Sequence, residues 1–292
     1  MAEGRATHLA IAGMLAALAV TDLILCRRLG WSLLHWTSFA LALAVFAGIA
    51  LFYHWRDRGE QIKRAAYWLL LTSLCAVAGT ILAYAAAARG GPSYDPAFAA
   101  IDADLGFHWT GWFRFLQHEP LLWTILLIAY ISLMPQMMAS ILYFCWCRRD
   151  GRNSELVLHS LVALLITLAL FSLLPAIGPG AAEPEIQALY VTQLIRLRSG
   201  TVTAIDMSNL AGIISFPSYH AVMACLLTYA HRGMRLFWPI AVINTLMLVA
   251  TPSHGGHYVV DVIAGVVIAL LTIAAIRTAQ PRRGLVVPAA NA

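Results

Sequence analysis

Residues 257–276 read HYVVDVIAGVVIALLTIAAI, an apolar run in which Asp261 is the only formally charged side chain. A helix of about 20 apolar residues is long enough to cross the hydrocarbon core of a bilayer. Seven comparable runs precede it, so the predicted spans are residues 8–26, 33–53, 66–88, 121–146, 156–174, 217–231, 236–253 and 257–276. The sequence therefore predicts an all-α, polytopic membrane helix bundle with about eight transmembrane helices.

The composition of the whole chain favours the same class. Of the 292 residues, 61% are hydrophobic and 11% are charged, against roughly 25% charged in an ordinary soluble domain. A net charge of +5 is compatible with a nucleic-acid partner, but the basic residues lie in short loops between apolar runs, which is typical of membrane orientation. We therefore expect the membrane as a partner, no nucleic acid and no obligate protein partner.

Loop charges predict how the chain is oriented. Thirteen of the nineteen basic residues lie on the side of the N-terminus and six lie on the other side. By the positive-inside rule both termini are cytoplasmic, and the long loops 89–120 and 175–216 face outward. Within these loops, residues 95–118 and 183–199 are predicted to form interfacial helices. We expect an integral protein of a bacterial inner membrane, with its active site on the periplasmic face.

One histidine and one carboxylate stand out in the last span. His257 and Asp261 are four residues apart, so on a helix they share a face and can touch. A carboxylate within an apolar span costs roughly 2.5–3.5 kcal/mol, so Asp261 needs a partner. A carboxylate bonded to one ring nitrogen fixes the tautomer and leaves the other nitrogen free to attack. The alternative is a structural pair that holds two helices together.

A second histidine, His220, ends the Pro-Ser-Tyr-His stretch 217–220 at the start of the sixth span. Proline is favoured in the first turn of a helix, and the N–H groups there form an anion site at the positive helix end. The last span begins at the same face, after Gly255 and Gly256, which let a phosphate approach the backbone closely. His220 and His257 are therefore predicted to lie at one membrane face.

The two motifs, Pro-Ser-Tyr-His at 217–220 and His-Tyr-Val-Val-Asp at 257–261, resemble the type 2 phosphatidic acid phosphatase superfamily. The second is especially similar to the branch containing inositol phosphorylceramide synthase and sphingomyelin synthase. The resemblance covers roughly residues 95–275, with weaker matches at Asp102–Gly106 with Trp109, at Pro175-x-x-Gly178-Pro179 and at Arg198-x-Gly200. It implies a six-helix catalytic core at 66–277, two additional N-terminal helices at 1–65 and a cytoplasmic tail at 278–292.

The resemblance also implies a role for individual residues. His257 is the nucleophile that becomes phosphohistidine, Asp261 orients it, and His220 protonates the leaving group. The candidate substrate-binding residues are Ser218, Arg198, Arg196, Gly256 and His254. The implied partner is a lipid phosphate or phospholipid substrate in the membrane, and neither a metal nor another cofactor is implied.

The chain departs from the family pattern at the phosphate clamp. Phosphatases of the superfamily carry a Ser-Arg pair where this chain has Ala250 and Thr251, and the usual Lys-x6-Arg-Pro motif is missing. Arg198, with Arg196 as a substitute, is the candidate replacement, because a phosphate needs a positive neighbour. The reduced clamp favours transfer of a phospho-head group between lipids, as in inositol phosphorylceramide synthase. The alternative is a lipid phosphate phosphatase for phosphatidic acid or polyprenyl phosphate-type substrates.

Three other classes fit single features of the sequence. Ser218 with a histidine suggests a serine hydrolase, but the Gly-x-Ser-x-Gly elbow is missing. The His257–Asp261 pair suggests a proton relay in a proton-coupled transporter. Asp102 and Asp104 suggest a metal site, but neither His nor Cys joins them at ligand spacing. We therefore expect a metal-independent reaction.

Overall fold

The structure, a computed structural model, describes residues 2–182 and 189–279. Its elements in chain order are α1 (Ala2–Leu29), β1 (Ser32–Leu34), α2 (Trp36–Trp55), α3 (Glu60–Ala88), α4 (Asp95–Asp104), α5 (Trp109–His118), α6 (Pro120–Ile131), α7 (Leu133–Trp146), α8 (Asp150–Leu173), α9 (Leu189–Arg198), β2 (Ala204–Asp206), α10 (Tyr219–Ala230), α11 (Phe237–Gly255) and α12 (Val259–Ala279). The predicted interfacial segments correspond to α4 with α5 and to α9. Residues 183–188 of the second segment lie outside the described residues, as do residues 280–292 of the predicted tail.

Each predicted span coincides with a helix or, in one case, with a pair of helices. Five of the described helices, α1, α2, α3, α8 and α12, are long and apolar enough to cross a membrane. The pair α6 and α7 is a sixth candidate, bent by 51°, while α10, with 12 residues, and α11 fall outside these six. The all-α membrane bundle is confirmed, whereas the count of eight spans stays a prediction.

Polar contacts join the loops at the two ends of the bundle. At one end Arg64 pairs with Asp150, and Arg232 pairs with Glu155 at 2.5 Å. At the other end Asp95 accepts hydrogen bonds from the backbone amides of the loop after α8. The starts of α3 and α8 therefore lie at one end of the bundle, and the segments that follow these two helices lie at the other end. This is the arrangement expected if both helices cross the membrane. The cytoplasmic location of the termini stays a prediction.

The main apolar core lies among α3, α7, α8, α10 and α12. α1 adds Ile11 and Leu18 to this core, whereas α2 buries none of its residues. The two helices that the resemblance groups together as N-terminal additions therefore differ in their packing. α1 contributes two apolar side chains to the core while most of its surface stays exposed, and α2 packs at the edge of the bundle.

A two-stranded parallel ribbon, which the sequence did not predict, connects the N-terminal part to the long loop between α8 and α10. β1 pairs with β2 with Ser32 opposite Ala204. Beside the ribbon, the carboxylate of Asp206 accepts from the hydroxyl and amide of Ser208 and contacts His35 at 2.9 Å. These hydrogen bonds, those from Ser208 first, lower the pKa of Asp206 to about 2. Three-residue strands are too short to produce an alternating pattern.

Gly265 sets the closest approach of α12 to α10 and gives the first prediction. A methyl group there would overlap the Ser218 carbonyl oxygen and lie 2.9 Å from Ala221 Cβ. Because the overlap is with backbone, we expect Gly265→Ala to destabilise the protein by about 1–3 kcal/mol through overpacking. The measurement is thermal unfolding in detergent.

Gly13→Ala in α1 is the matched control, since no atom lies within 4 Å of the position that its Cβ would occupy. Alanine favours a helix over glycine by up to about 1 kcal/mol, so this control should be neutral or stabilising. Equal stability of the two variants would contradict the close packing of α10 on α12.

Candidate active site

His257 lies in the turn between α11 and α12. α11 ends at Gly255, and Gly256 follows in the left-handed conformation with φ 63°. His257 therefore stands two residues before α12 begins, rather than on its first turn as the spacing predicted. The residue before Gly256, Gly255, cannot carry a side chain without a clash, because a Cβ there would lie 2.7 Å from the His257 ring and 2.9 Å from the Tyr130 hydroxyl.

The His257 ring is held by acceptors on one side. Its Nδ1 lies 2.6 Å from the Ser215 carbonyl oxygen and 3.2 Å from Asp261 Oδ2. A carbonyl oxygen can only accept, so Nδ1 carries the proton and donates it. In the neutral ring Nε2 then holds a lone pair, and this atom lies 3.5 Å from Ser218 Oγ. The predicted contact between His257 and Asp261 is thus present, and the carbonyl reinforces the tautomer.

Asp261 is fully buried and His257 is 4% exposed. Besides the ring, Asp261 Oδ2 accepts from the Tyr258 amide at 2.9 Å. The Asp261 carbonyl accepts from the Ser218 amide at 3.0 Å, which fixes the start of α10 beside the start of α12. The two helix starts that the sequence placed at one face are therefore in direct contact.

Ser218 and His220 lie at the N-terminus of α10. Ser218 is the N-cap residue, and its hydroxyl accepts from the Ala221 amide at 3.4 Å. The ring of His220, two residues after Ser218, stacks on Tyr130 of α6 with 4.2 Å between ring centroids and an interplanar angle of 15°. The stack orients the ring and leaves its edge nitrogens available to a ligand.

A cavity of about 270 Å³ brings three histidines together: His220, His254 and His257 all contribute to its lining. His254 stacks on Trp123 at 4.3 Å, and its Nδ1 lies 3.0 Å from Ser253 Oγ. Most of the remaining wall is apolar and comes from α3, α7 and α8. The cavity thus has a polar end at the histidines and an apolar end within the bundle.

The two predicted phosphate-binding arginines lie elsewhere. Arg198 Nη2 donates to the Gly91 carbonyl at 2.8 Å, and Arg196 is exposed in the last turn of α9. Neither contributes to the lining of the cavity, whose described wall contains neither Arg nor Lys. Gly256, the residue that follows the end of α11, is not part of the lining either.

Asp102 has a structural role that the sequence reading missed. Its carboxylate in α4 accepts from the amides of Val259 at 2.8 Å and Val260 at 3.0 Å, the first two of α12. Asp102 is 3% exposed, and burial raises its pKa against the opposing effect of these two amides. Trp109 of α5 braces the other side of the turn by donating to the Pro252 carbonyl at 2.8 Å.

These contacts affect two hypotheses from the sequence: the anion site at the two helix starts, and the metal site at Asp102 and Asp104. The positive end of α12 is occupied by Asp102, so among the two helix starts only that of α10 is compatible with the predicted anion site. Asp102 also uses both carboxylate oxygens on backbone amides rather than on a metal ion. The only sequence signal for this role was the Asp102 and Trp109 match within the resemblance, which carries no information about their contacts.

Replacement of Asp102 gives the second prediction. Asp102→Asn keeps one acceptor oxygen but leaves one α12 amide facing a donor, which costs about 1–3 kcal/mol for a buried group. We expect faster hydrogen exchange at the Val259 and Val260 amides and lower activity. Asp104→Asn is the matched control, because Asp104 is an exposed residue of the same helix. Equal exchange rates in both variants would contradict the capping role.

Comparison with known families gives one match, and it spans most of the region that carries these contacts. The model of the PAP2 superfamily matches residues 96–275, which include nearly all of α4, all of α5 to α11 and most of α12. No curated protein and no solved structure matches the chain. Since the family match covers more than half of the sequence and includes His220, His257 and Asp261, the chain belongs to the PAP2 superfamily.

Proposed function

We propose that the protein is an integral membrane lipid-phosphate phosphotransferase that works through a phosphohistidine on His257. The observation that supports it most is the tautomer of this ring. Nδ1 faces the Ser215 carbonyl and Asp261, so the lone pair of Nε2 is available at a cavity that also contains His220. A buried, oriented nitrogen of this kind suits nucleophilic catalysis.

The proposed reaction has two steps, and His220 first gives up a proton and then takes one back. In the first, His257 Nε2 attacks phosphorus, the bond between phosphorus and the leaving lipid oxygen breaks, and a proton passes from His220 to that oxygen. In the second, the hydroxyl of the acceptor attacks phosphorus, its proton passes to His220, and the phosphorus–nitrogen bond breaks. Asp261 stabilises the positive charge that develops on the His257 ring.

The remaining candidate residues have supporting roles in this proposal. The His254 ring contributes to the lining of the cavity, and the Ser218 hydroxyl lies 3.5 Å from His257 Nε2. Both groups can donate to phosphate oxygens in the proposal. The Gly256 turn gives the backbone room near the phosphate. Arg198, with Arg196 beside it, attracts the anionic phospholipid before its phosphate enters the cavity, after leaving the Gly91 carbonyl.

The charge of the cavity favours transfer over hydrolysis. A phosphomonoester carries nearly two negative charges near neutral pH, because its second pKa is about 6. A phosphodiester carries one, which a wall without Arg or Lys in its described part accommodates more readily. We therefore prefer an inositol phosphorylceramide synthase-like transfer of a phospho-head group from a phospholipid to the hydroxyl of another lipid.

The outer loop supports the same choice. Residues 211–214, in the segment before α10, form part of the cavity wall beside the histidines. They restrict water on the side that, in our proposal, faces the periplasm. The alternative within this chemistry is a phosphatase for phosphatidic acid or polyprenyl phosphate-type lipids, in which water is the acceptor.

Asp261→Asn gives the third prediction. The Ser215 carbonyl still fixes the tautomer, but the ring loses the carboxylate charge that stabilises it during attack. We expect kcat to fall roughly 100-fold with little change in KM. Asp22→Asn in α1 is the matched control, because Asp22 is also a buried carboxylate in an apolar helix but lies outside the cavity. Equal activity of both variants would make the His257–Asp261 pair merely structural.

A labelling experiment gives the fourth prediction and separates transfer from hydrolysis. Purified protein is incubated with phosphatidylinositol labelled in its head group, or with labelled phosphatidic acid, and quenched at alkaline pH, where phosphohistidine survives. We expect label on the wild type and none on His257→Gln. With phosphatidylinositol and ceramide, a labelled phosphodiester lipid should form. Release of free phosphate from phosphatidic acid that no added alcohol suppresses would instead identify a phosphatase.

A further inference from the structure

We propose that the head group of an acidic phospholipid binds at the far ends of α10 and α12, away from the histidine cavity. The site, named the basic patch, is formed by the turn from α7 into the start of α8, the turn between α10 and α11, and the last turn of α12. The arginines of the basic patch are Arg148, Arg149, Arg152, Arg232, Arg235 and Arg277. None of them lines the cavity, so the inference does not rest on the proposed function.

The two turns of the basic patch are packed against one another. Arg152, in the first turn of α8, donates from Nη2 to the Arg232 carbonyl at 3.1 Å. His231, in the turn between α10 and α11, stacks on Tyr143 of α7 with 6.0 Å between ring centroids and an interplanar angle of 15°. The arginines of both turns therefore belong to one surface with a fixed geometry.

The carboxylates of the basic patch leave most of its positive charge uncompensated. Glu155 is shared by two arginines, since its Oε1 lies 2.5 Å from Arg232 Nη2 and its Oε2 lies 3.4 Å from Arg152 Nη1. Asp150 is already paired with Arg64 of α3. The other arginines are exposed and, among the described residues, do not pair with a carboxylate; they are Arg148, Arg149, Arg235 and Arg277. The basic patch therefore favours a negatively charged ligand.

Two tyrosines connect the arginines across the end of the bundle. The Arg232 guanidinium lies 3.7 Å from the centroid of the Tyr229 ring, a distance at which the ring face attracts the cation. Arg277, in the last turn of α12, is close enough to the Tyr229 hydroxyl to act on it electrostatically. Arg235 has the same relation to Tyr143. The basic patch therefore reaches from α7 across the end of α10 to α12.

The surface beside the basic patch is apolar, and this favours a lipid over other anions. Trp146, near the end of α7, is 79% exposed, and Trp238, at the start of α11, is 74% exposed. Tryptophan is enriched where the head groups of a membrane meet the hydrocarbon chains. One turn farther from the arginines, Leu142 and Val242 are also exposed. A ligand that fits both surfaces has an anionic head group and hydrocarbon chains, which a nucleic acid or an acidic peptide lacks.

A phosphodiester head group matches the chemistry of the basic patch. Guanidinium groups bind phosphate oxygens through paired, charge-assisted hydrogen bonds. Each basic residue close to an anionic membrane surface strengthens binding by about fivefold. Phosphatidylglycerol carries one negative charge, whereas phosphatidylcholine has no net charge. The basic patch should therefore distinguish these two lipids although their chains are the same.

The test is a lipid titration of the purified full-length protein in detergent. Dioleoyl phosphatidylglycerol or dioleoyl phosphatidylcholine is added, and native mass spectrometry gives the Kd of the first bound lipid. We expect phosphatidylglycerol to bind about tenfold more tightly or better. Glycerol phosphate, which has the negative charge but no chains, should not displace it at the same concentration. Equal affinity for the two lipids, or displacement by glycerol phosphate, would overturn the proposal.

A double variant locates the lipid. Arg149→Gln with Arg235→Gln removes one exposed arginine from each turn and should weaken phosphatidylglycerol binding about 25-fold, at about fivefold for each arginine. Arg28→Gln with Arg89→Gln is the matched control, because it removes two exposed arginines from the opposite ends of α1 and α3. This control should keep the affinity of the wild type. Unchanged affinity in the first variant, or an equal loss in the control, would overturn the basic patch.

A third variant separates the basic patch from the catalytic cavity. His257→Gln changes the cavity alone, so it should keep the wild-type affinity for phosphatidylglycerol. A loss in this variant that matches the loss in Arg149→Gln with Arg235→Gln would place the bound lipid in the cavity and overturn the proposal. Affinity for phosphatidylcholine should be the same in all variants, which shows that each of them is folded.

Discussion

Backbone groups within a membrane bundle have no water to bond, so an irregular turn persists there only where the protein supplies partners. The turn between α11 and α12 is such a place. Trp109 donates to the carbonyl of Pro252 before it, Asp261 accepts from the amide of Tyr258, and the carboxylate of Asp102 accepts two amides beyond it. Because this turn carries His257, the position of its ring depends on the two short helices α4 and α5 as much as on the long ones.

The dependence of this turn on partners far away in the chain also explains what the sequence could and could not predict. Asp261 was recognisable because a carboxylate in an apolar run needs a partner, and the spacing of four residues indicated His257 as that partner. The contacts of Asp102 were not recognisable, because its partners are backbone amides more than 150 residues away, and amides leave no signature in a sequence. The eight helical segments followed from apolar run length alone. The position of Arg198 depends on how α9 packs, which no local pattern encodes.

The wall of the cavity and the orientation of His220 both depend on the bend between α6 and α7. Tyr130, which stacks on His220, is the second residue before the break at Ser132, and the residues after the break line the cavity. Pro135, the third residue of α7, has no N–H to donate to the carbonyl of Ile131. It therefore accounts for the bend of 51° and, through it, for the direction in which α6 presents Tyr130. A straight helix at this place would change the wall of the cavity and the support of His220 together.

The β1–β2 ribbon has a consequence for the assembly of the molecule. Its strands are separated by about 170 residues of chain, so during synthesis β1 leaves the ribosome long before its partner. Until then its backbone groups must be satisfied by water or by other molecules. Contacts between such distant segments form late, because they require closure of a long loop. The ribbon therefore forms only after most helices have been made, and the folding of the loop that contains β2 depends on a strand made near the beginning of synthesis.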